Sequence, residues 1–191
     1  VSLQGVPLGW AQPWLGGIGV SGGDLKGDLL ASVRAGRFVL RSTTALTAGG
    51  VGISHDDQAL LRGVDLSTDV TVDYAANGWQ VDVARLALRT GPATLGDFSV
   101  MLVQAGEGAS PLAVTGTYAV DLPGVLAQPV MSGREGLTAG RVAGDFSASF
   151  STLQAFAATV AVTELAVNAD VTLPTIKAEL RADRLADGTI N

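Results

Sequence analysis

The sequence predicts an all-β protein: an antiparallel meander of long strands curled into an open groove, with two short helices at the boundaries of a repeated unit. Three observations lead there. Apolar and polar residues alternate with a period of two over long stretches. A motif and the segment upstream of it are written twice. Almost nothing in the chain carries a helical period.

The repeat is read first. Gly140-Arg-Val-Ala-Gly-Asp-Phe-Ser-Ala-Ser-Phe150 restates Gly23-Asp-Leu-Lys-Gly-Asp-Leu-Leu-Ala-Ser-Val33 at an offset of 117. Upstream, Pro7-Leu-Gly-Trp-Ala-Gln-Pro-Trp14 answers Pro123-Gly-Val-Leu-Ala-Gln-Pro-Val130 at an offset of 116. Two matches in the same order describe a duplicated unit, placed at residues 1–121 and, truncated, at 122–191 in the same sheet.

Taken in order, Pro7 to Trp14 suits a helix of at most two turns, with a proline near each end. In the second copy Asp121 caps, Pro123 enters the first turn, and Val125 and Leu126 face inward. Gly23 to Val33 fits a helix or a strand, and the second copy decides: Val142, Phe146, Ala148 and Phe150 keep a period of two. Both copies are therefore strands. Farther on, Val64, Leu66, Val70, Val72 and Tyr74 alternate with Asp65, Ser67, Asp69, Thr71 and Asp73. Asn77-Gly78 supplies the positive backbone angles of a tight hairpin. The return strand runs Trp79, Val81, Val83, then shifts phase to Leu86 and Leu88, which places a bulge near Ala84-Arg85. Gly91-Pro92 ends it. Leu95 to Val103 follows, with Phe98, Val100 and Leu102 on one face. A loop from Ala105 to Ser110 leads to Leu112, Val114, Tyr118 and Val120. After the second motif come Phe156 to Val162, Leu165 to Leu173 through Ala169, and Ile176 to Ala182. Connections are short, so successive strands should pair as antiparallel neighbours.

Composition narrows the function. The 191 residues are 47% apolar and 16% charged, with net charge −6. No basic cluster exists to neutralise phosphates, which argues against a nucleic-acid partner. With no cysteine, disulfides and thiolate metal sites are excluded. No apolar run approaches the length of a membrane-spanning helix. The chain begins with Val1 and ends on Gly188-Thr-Ile-Asn191, which reads as an unfinished strand. It is therefore expected to be cut from a longer protein, whose remainder is its first partner.

Candidate sites fare poorly. Gly17-Ile-Gly-Val-Ser-Gly22 is a literal G-x-G-x-x-G, yet a dinucleotide site needs a strand before it and a helix after it. The second copy has Gly133-Arg-Glu-Gly-Leu instead. His55-Asp56-Asp57 joins the single histidine to two carboxylates, but zinc ordinarily takes three or four protein ligands, and a solvated turn is the simpler reading. Asp65, Asp69 and Asp73 read as the wet face of a half-buried strand. No G-x-S-x-G occurs. Trp10, Trp14 and Trp79 could be sugar platforms, but packing at the end of a sheet suits them better. No enzyme, cofactor or metal site is expected.

The whole pattern does resemble one family. It comprises the Pro-flanked segment ending Ala-Gln-Pro, the Gly-rich link and Gly23-Asp-Leu-Lys-Gly-Asp-Leu29. It continues with long strands bearing internal acidic residues, the turn Ala76-Asn-Gly-Trp-Gln-Val-Asp-Val-Ala-Arg-Leu-Ala-Leu88, and Asp121-Leu-Pro123. These are similar to the AsmA/TamB/YhdP group of bacterial envelope proteins. The resemblance implies a bridge between inner and outer membranes, with a β-groove whose apolar interior shields acyl chains. It implies a periplasmic location, an anchor in the inner membrane outside this sequence, and a phospholipid or other acyl lipid as ligand. Membrane contact is expected only through parts outside the chain. The lining is expected at Val64, Leu66, Val70, Val72 and Tyr74, continued by Phe98, Val100 and Leu102. Alternation serves a β-sandwich equally well. The other reading is therefore a structural or adhesive β-sandwich or β-solenoid module of a secreted surface protein. Small Ala, Val and Thr on the apolar faces favour the lined channel.

Overall fold

A computed structural model describes residues 1–56, 58–106, 112–132, 136–150, 154–168 and 171–184. Asp57, the loop from residue 107 to Ser110, Gly133-Arg-Glu135, Ala169 and the Gly188–Asn191 end lie outside the described residues.

The long strands form because β-branched residues and Leu recur at every second position, so one face of each strand is apolar and the other polar. They join in a single antiparallel sheet of 13 strands among the described residues. The first half holds β1 (Ser2–Pro7), β2 (Ile18–Ser21), β3 (Asp24–Arg34), β4 (Arg37–Ser42), β5 (Leu46–His55) and β6 (Gln58–Ala75). The second holds β7 (Gly78–Thr90), β8 (Ala93–Ala105), β9 (Leu112–Asp121), β10 (Ala139–Phe150), β11 (Gln154–Asn168), β12 (Val171–Thr172) and β13 (Ile176–Arg184). From β6 to β11 each strand pairs with the next, as a meander should. The phase shift read near Ala84-Arg85 is a bulge: Asp69 faces Arg85, Val70 faces Val83, and Ala84 is the extra residue.

The N-terminal part departs from the expected order. Between Arg34 and Val64 the sequence reading offers only a solvated turn at His55-Asp56-Asp57, whereas β4 and β5 occupy most of that span. β6, at 18 residues, is long enough to pair with β5 along its first part and with β4 near its end. β3 in turn pairs with β4 and β1, and touches β5 at Lys26 and Thr47. The β3–β4 hairpin closes on Ala35-Gly36, both with positive φ (48° and 77°), the geometry its two-residue turn requires. In the Ala76-Asn77 turn only Gly78 carries a positive φ (139°), so Asn77 does not share that role as expected.

Both short helical segments exist. Leu8–Trp14 forms a 3-10 helix containing Pro13. α1 (Leu122–Leu126) starts on Asp121, whose carboxylate accepts from the Gly124 amide at 3.0 Å, as the cap reading required. Val125 and Leu126 are half-buried and Gly124 is fully buried. A Cβ at Gly124 would stand 2.7 Å from the Thr94 carbonyl oxygen, so the helix lies close on β8.

The repeated motifs are strands β3 and β10, and they share their antiparallel pairing and one hydrogen-bond pattern. In the first, Leu29 pairs with Ser42 and Val33 with Phe38; in the second, Phe146 pairs with Ala158 and Phe150 with Gln154. Allowing for the repeat offset, the registers differ by one residue: Val33 and Phe38 are five positions apart, Phe150 and Gln154 four, so the second hairpin is the shorter between equivalent positions. The Asp28 amide donates to Thr44 Oγ1 at 2.9 Å, and that hydroxyl donates back to the Asp28 carboxylate at 3.3 Å. Asp145 and Thr159 repeat both bonds at 3.1 and 2.6 Å. The glycine before each Asp is constrained, Gly144 by neighbouring backbone and Gly27 by its φ of 145° and the Leu46 side chain. A Cβ on Gly27 would lie 2.7 Å from Leu46 Cδ2, and one on Gly144 would run into the Thr159 carbonyl. The duplicated Gly-Asp is thus a local clamp, and at Gly144 the neighbouring strand approaches too closely for any side chain.

The core is small and lies at the helix-bearing end. Ala48, Val51, Val64 and Leu95 are buried there, with Leu8, Val20, Ile53, Leu61, Leu66 and Leu88 packed around them. Bulges steer these residues inward. Leu95 is the extra residue between the pairs Leu88–Gly96 and Arg89–Thr94. Among the described residues no large side chain is fully buried, whereas two packed layers would bury many.

Candidate functional site

Residues directly opposite on neighbouring strands point to the same side of a sheet, so the pairing register converts alternation into a surface. One row runs Ala31, Leu40, Val72, Val81, Leu102, Val114, Ala148, Phe156 and Ala182. The row beside it holds Val70, Val83, Val100, Gly116, Phe146, Ala158 and Leu180. Apolar positions follow one another across the sheet without a charged residue in either row. Aromatic rings lie over glycines on this face. A Cβ on Gly116 would be 2.6 Å from Phe146 Cζ, and one on Gly96 would be 2.9 Å from Phe98 Cε2. Tyr118 reaches past Gly144 to donate its hydroxyl to the Thr159 carbonyl at 2.9 Å. Glycine here makes room for a ring to lie flat, which smooths the apolar surface.

The expected lining residues fall at different places on that surface. Val70, Val72, Val100 and Leu102 are half-buried in its middle. Phe98 is half-buried against Gly96. Leu66 packs on the small core, and Val64, 2% exposed, belongs to that core. Tyr74, 57% exposed, stands at the opposite end of the strands. β7 lies between β6 and β8, so Val81 and Val83 complete the middle of the surface. Leu40 of β4 extends it; the unread strand hid that residue, though the Phe38-Val-Leu40 alternation was available.

The opposite face is polar and internally matched. Asp65 lies opposite Arg89, and Asp69 opposite Arg85. Arg37 donates Nε to both Asp73 carboxylate oxygens, at 2.7 and 3.0 Å, and Nη2 bonds Asp73 as well. These hydrogen bonds, aided by the charge of the guanidinium and opposed by desolvation, hold the Asp73 carboxyl below the usual carboxylate range. Asp65 also accepts from the Gly50 amide at 3.0 Å, and Arg85 Nη2 stands 3.6 Å from Asp97 Oδ1. Each of the three carboxylates thus faces or lies beside an arginine strand position, and Asp73 is bonded to its arginine, Arg37. Arg85 and Arg89, spaced four apart after the Gly78 turn, were the sequence signal for this.

Elsewhere the chemistry is sparse. His55 Nδ1 lies 3.3 Å from Asp56 Oδ2, both exposed at the β5–β6 turn. Among the described residues no group of three or more His, Asp or Glu side chains is placed to hold a metal. Gly17 to Gly22 spans β2, which pairs with β5, and no helix follows it. Trp10 is exposed, contrary to the packing expected for it, because the 3-10 helix turns it outward from the sheet. Trp79 Nε1 donates to Gln104 Oε1 at 2.7 Å. A cleft of about 880 Å³ between the first 3-10 helix and β5 to β7 is lined by Leu8, Val20, Asp24, Lys26, Asp65 and Arg89 among others. It mixes apolar walls with both signs of charge. Among the described residues no helix is long and apolar enough to cross a membrane.

No family model, curated protein or solved structure matches the chain.

Proposed function

We propose that this chain is a non-enzymatic segment of a bridge-like lipid-transport protein of the cell envelope, whose apolar sheet face shields acyl chains. The observation that carries the reading is the surface from Leu40 through Val72, Val81 and Leu102 to Val114, apolar in register yet only half-buried. Apolar surface left open on this scale marks a binding face. Acyl chains suit it because they need contact with many methyl groups and no directed hydrogen bond, and the middle rows offer no charge. Polar head groups would remain toward solvent. The resemblance to the AsmA/TamB/YhdP group supports a periplasmic setting and a phospholipid ligand.

Native mass spectrometry of the gently purified chain tests this. Retained acyl lipid, displaced by added detergent, is the expected result. A chain that leaves a lipid-containing membrane extract with no bound lipid contradicts it.

A further inference from the structure

The apolar face does not end alike on its two sides. At the helix-bearing end the core closes it. At the hairpin end, one register row reads Val33, Phe38, Tyr74, Trp79, Gln104, Leu112 and Phe150. Val33 is 71% exposed and Phe150 50%, with Tyr74 exposed between them. Four of the seven are aromatic, in a chain that is 5% aromatic, so this row concentrates them. Trp79 and Gln104 are joined by their hydrogen bond, which gives the row a polar handle on an apolar body. Charge accompanies it. From Leu29 to Ser42 the chain holds Arg34, Arg37 and Arg41 and no acidic residue, against a net charge of −6 overall. All three arginines are exposed, and Arg37 is paired with Asp73.

From this juxtaposition we infer that the hairpin end is a membrane-contacting rim, which docks on a bilayer surface containing anionic lipid. Aromatic side chains with one apolar and one polar end settle at the level of lipid head groups. Arginines beside them are drawn to anionic lipid, their stems able to lie along apolar surface. The row is continuous with the apolar face, so an acyl chain leaving the bilayer at Tyr74 meets Val72 and then Val70 without crossing a charged residue. For the fate of a lipid after contact, the inference rests on the acyl-shielding reading. It also places a membrane contact inside the chain, where the family resemblance implies contact only outside it.

The test is co-sedimentation of the 191-residue chain with phosphatidylcholine vesicles, with and without phosphatidylglycerol. Binding to the anionic vesicles that weakens with salt is expected. Phe38→Ser with Tyr74→Ser should reduce it on the order of tenfold, and Arg34→Gln by about fivefold. Both sets of side chains are exposed or nearly so, and an unchanged thermal midpoint verifies that the variants fold. Trp10→Ser, at the other end of the strands, should bind like the parent. No binding to anionic vesicles, or binding lost with Trp10 and kept without the rim side chains, overturns the inference. Lipid retained in native mass spectrometry without vesicle binding would overturn the rim and keep the groove. Vesicle binding with no retained lipid would do the reverse.

Discussion

The two ends of the long strands share the same alternation and differ in what covers them. At one end α1 and the Leu8–Trp14 segment lie against the sheet, and bulges rotate Val51 and Leu95 inward until Val64 and Leu95 are nearly sealed. At the other, Val33, Tyr74 and Phe150 occupy the same apolar face and stand in solvent. Hydrophobicity at each position does not decide burial here; the placement of two short helical segments does. The duplicated Ala-Gln-Pro teaches the same lesson. Gln128, 4% exposed, accepts from the Arg62 amide at 2.9 Å and donates to Thr90 Oγ1 at 3.2 Å, tying the second copy's corner to β6 and β7. Gln12, at the same place in the first copy, is exposed.

Substitutions that treat the ends unequally would sharpen this contrast. Leu95→Ala should cost about 2–4 kcal/mol in urea unfolding because it opens a cavity in a core that is already small. Leu102→Ala removes the same atoms from the half-buried middle of the face and should cost about 1 kcal/mol. Equal losses would mean that the face is covered after all. Gln128→Ala leaves the Arg62 amide without its acceptor and should cost about 1–3 kcal/mol, while Gln12→Ala should stay within about 0.5 kcal/mol. A matching loss at Gln12 would show that the two copies are packed alike.

Much of the fold is legible from residues. The strict even–odd pattern from Val64 to Tyr74, the phase change at Ala84 and the Asp121 cap each have a local cause, and each appears in the structure. The Gly-Asp repeat is visible in the sequence, but its reason is not. At Gly144 that reason is the Thr159 carbonyl, which any Cβ there would strike because β11 approaches so closely. β5 escapes a sequence reading because Thr47-Ala-Gly-Gly-Val-Gly52 breaks its alternation with bulges at glycines. The burial of Gln128 depends on residues 38 and 66 positions away, which no local pattern reports.

The smallest expected effect is on the polar face. Asp73 has its folded-state pKa lowered by Arg37, so the stabilisation is present above the unfolded-state value. It fades as pH falls through the lower folded value. Asp73→Asn should flatten that part of the acid unfolding curve, and the difference should shrink in high salt because the pair is exposed. An unchanged acid limb would mean the pair does not persist in solution.

Site-specific photocrosslinking tests the central claim most directly, since adjacent residues on one strand sample opposite faces. Benzoylphenylalanine at Leu102, on the apolar face, should capture acyl lipid from a membrane extract, and the same group at Met101, on the polar face, should not. Equal capture at both positions, or capture at neither, would contradict an acyl-shielding face.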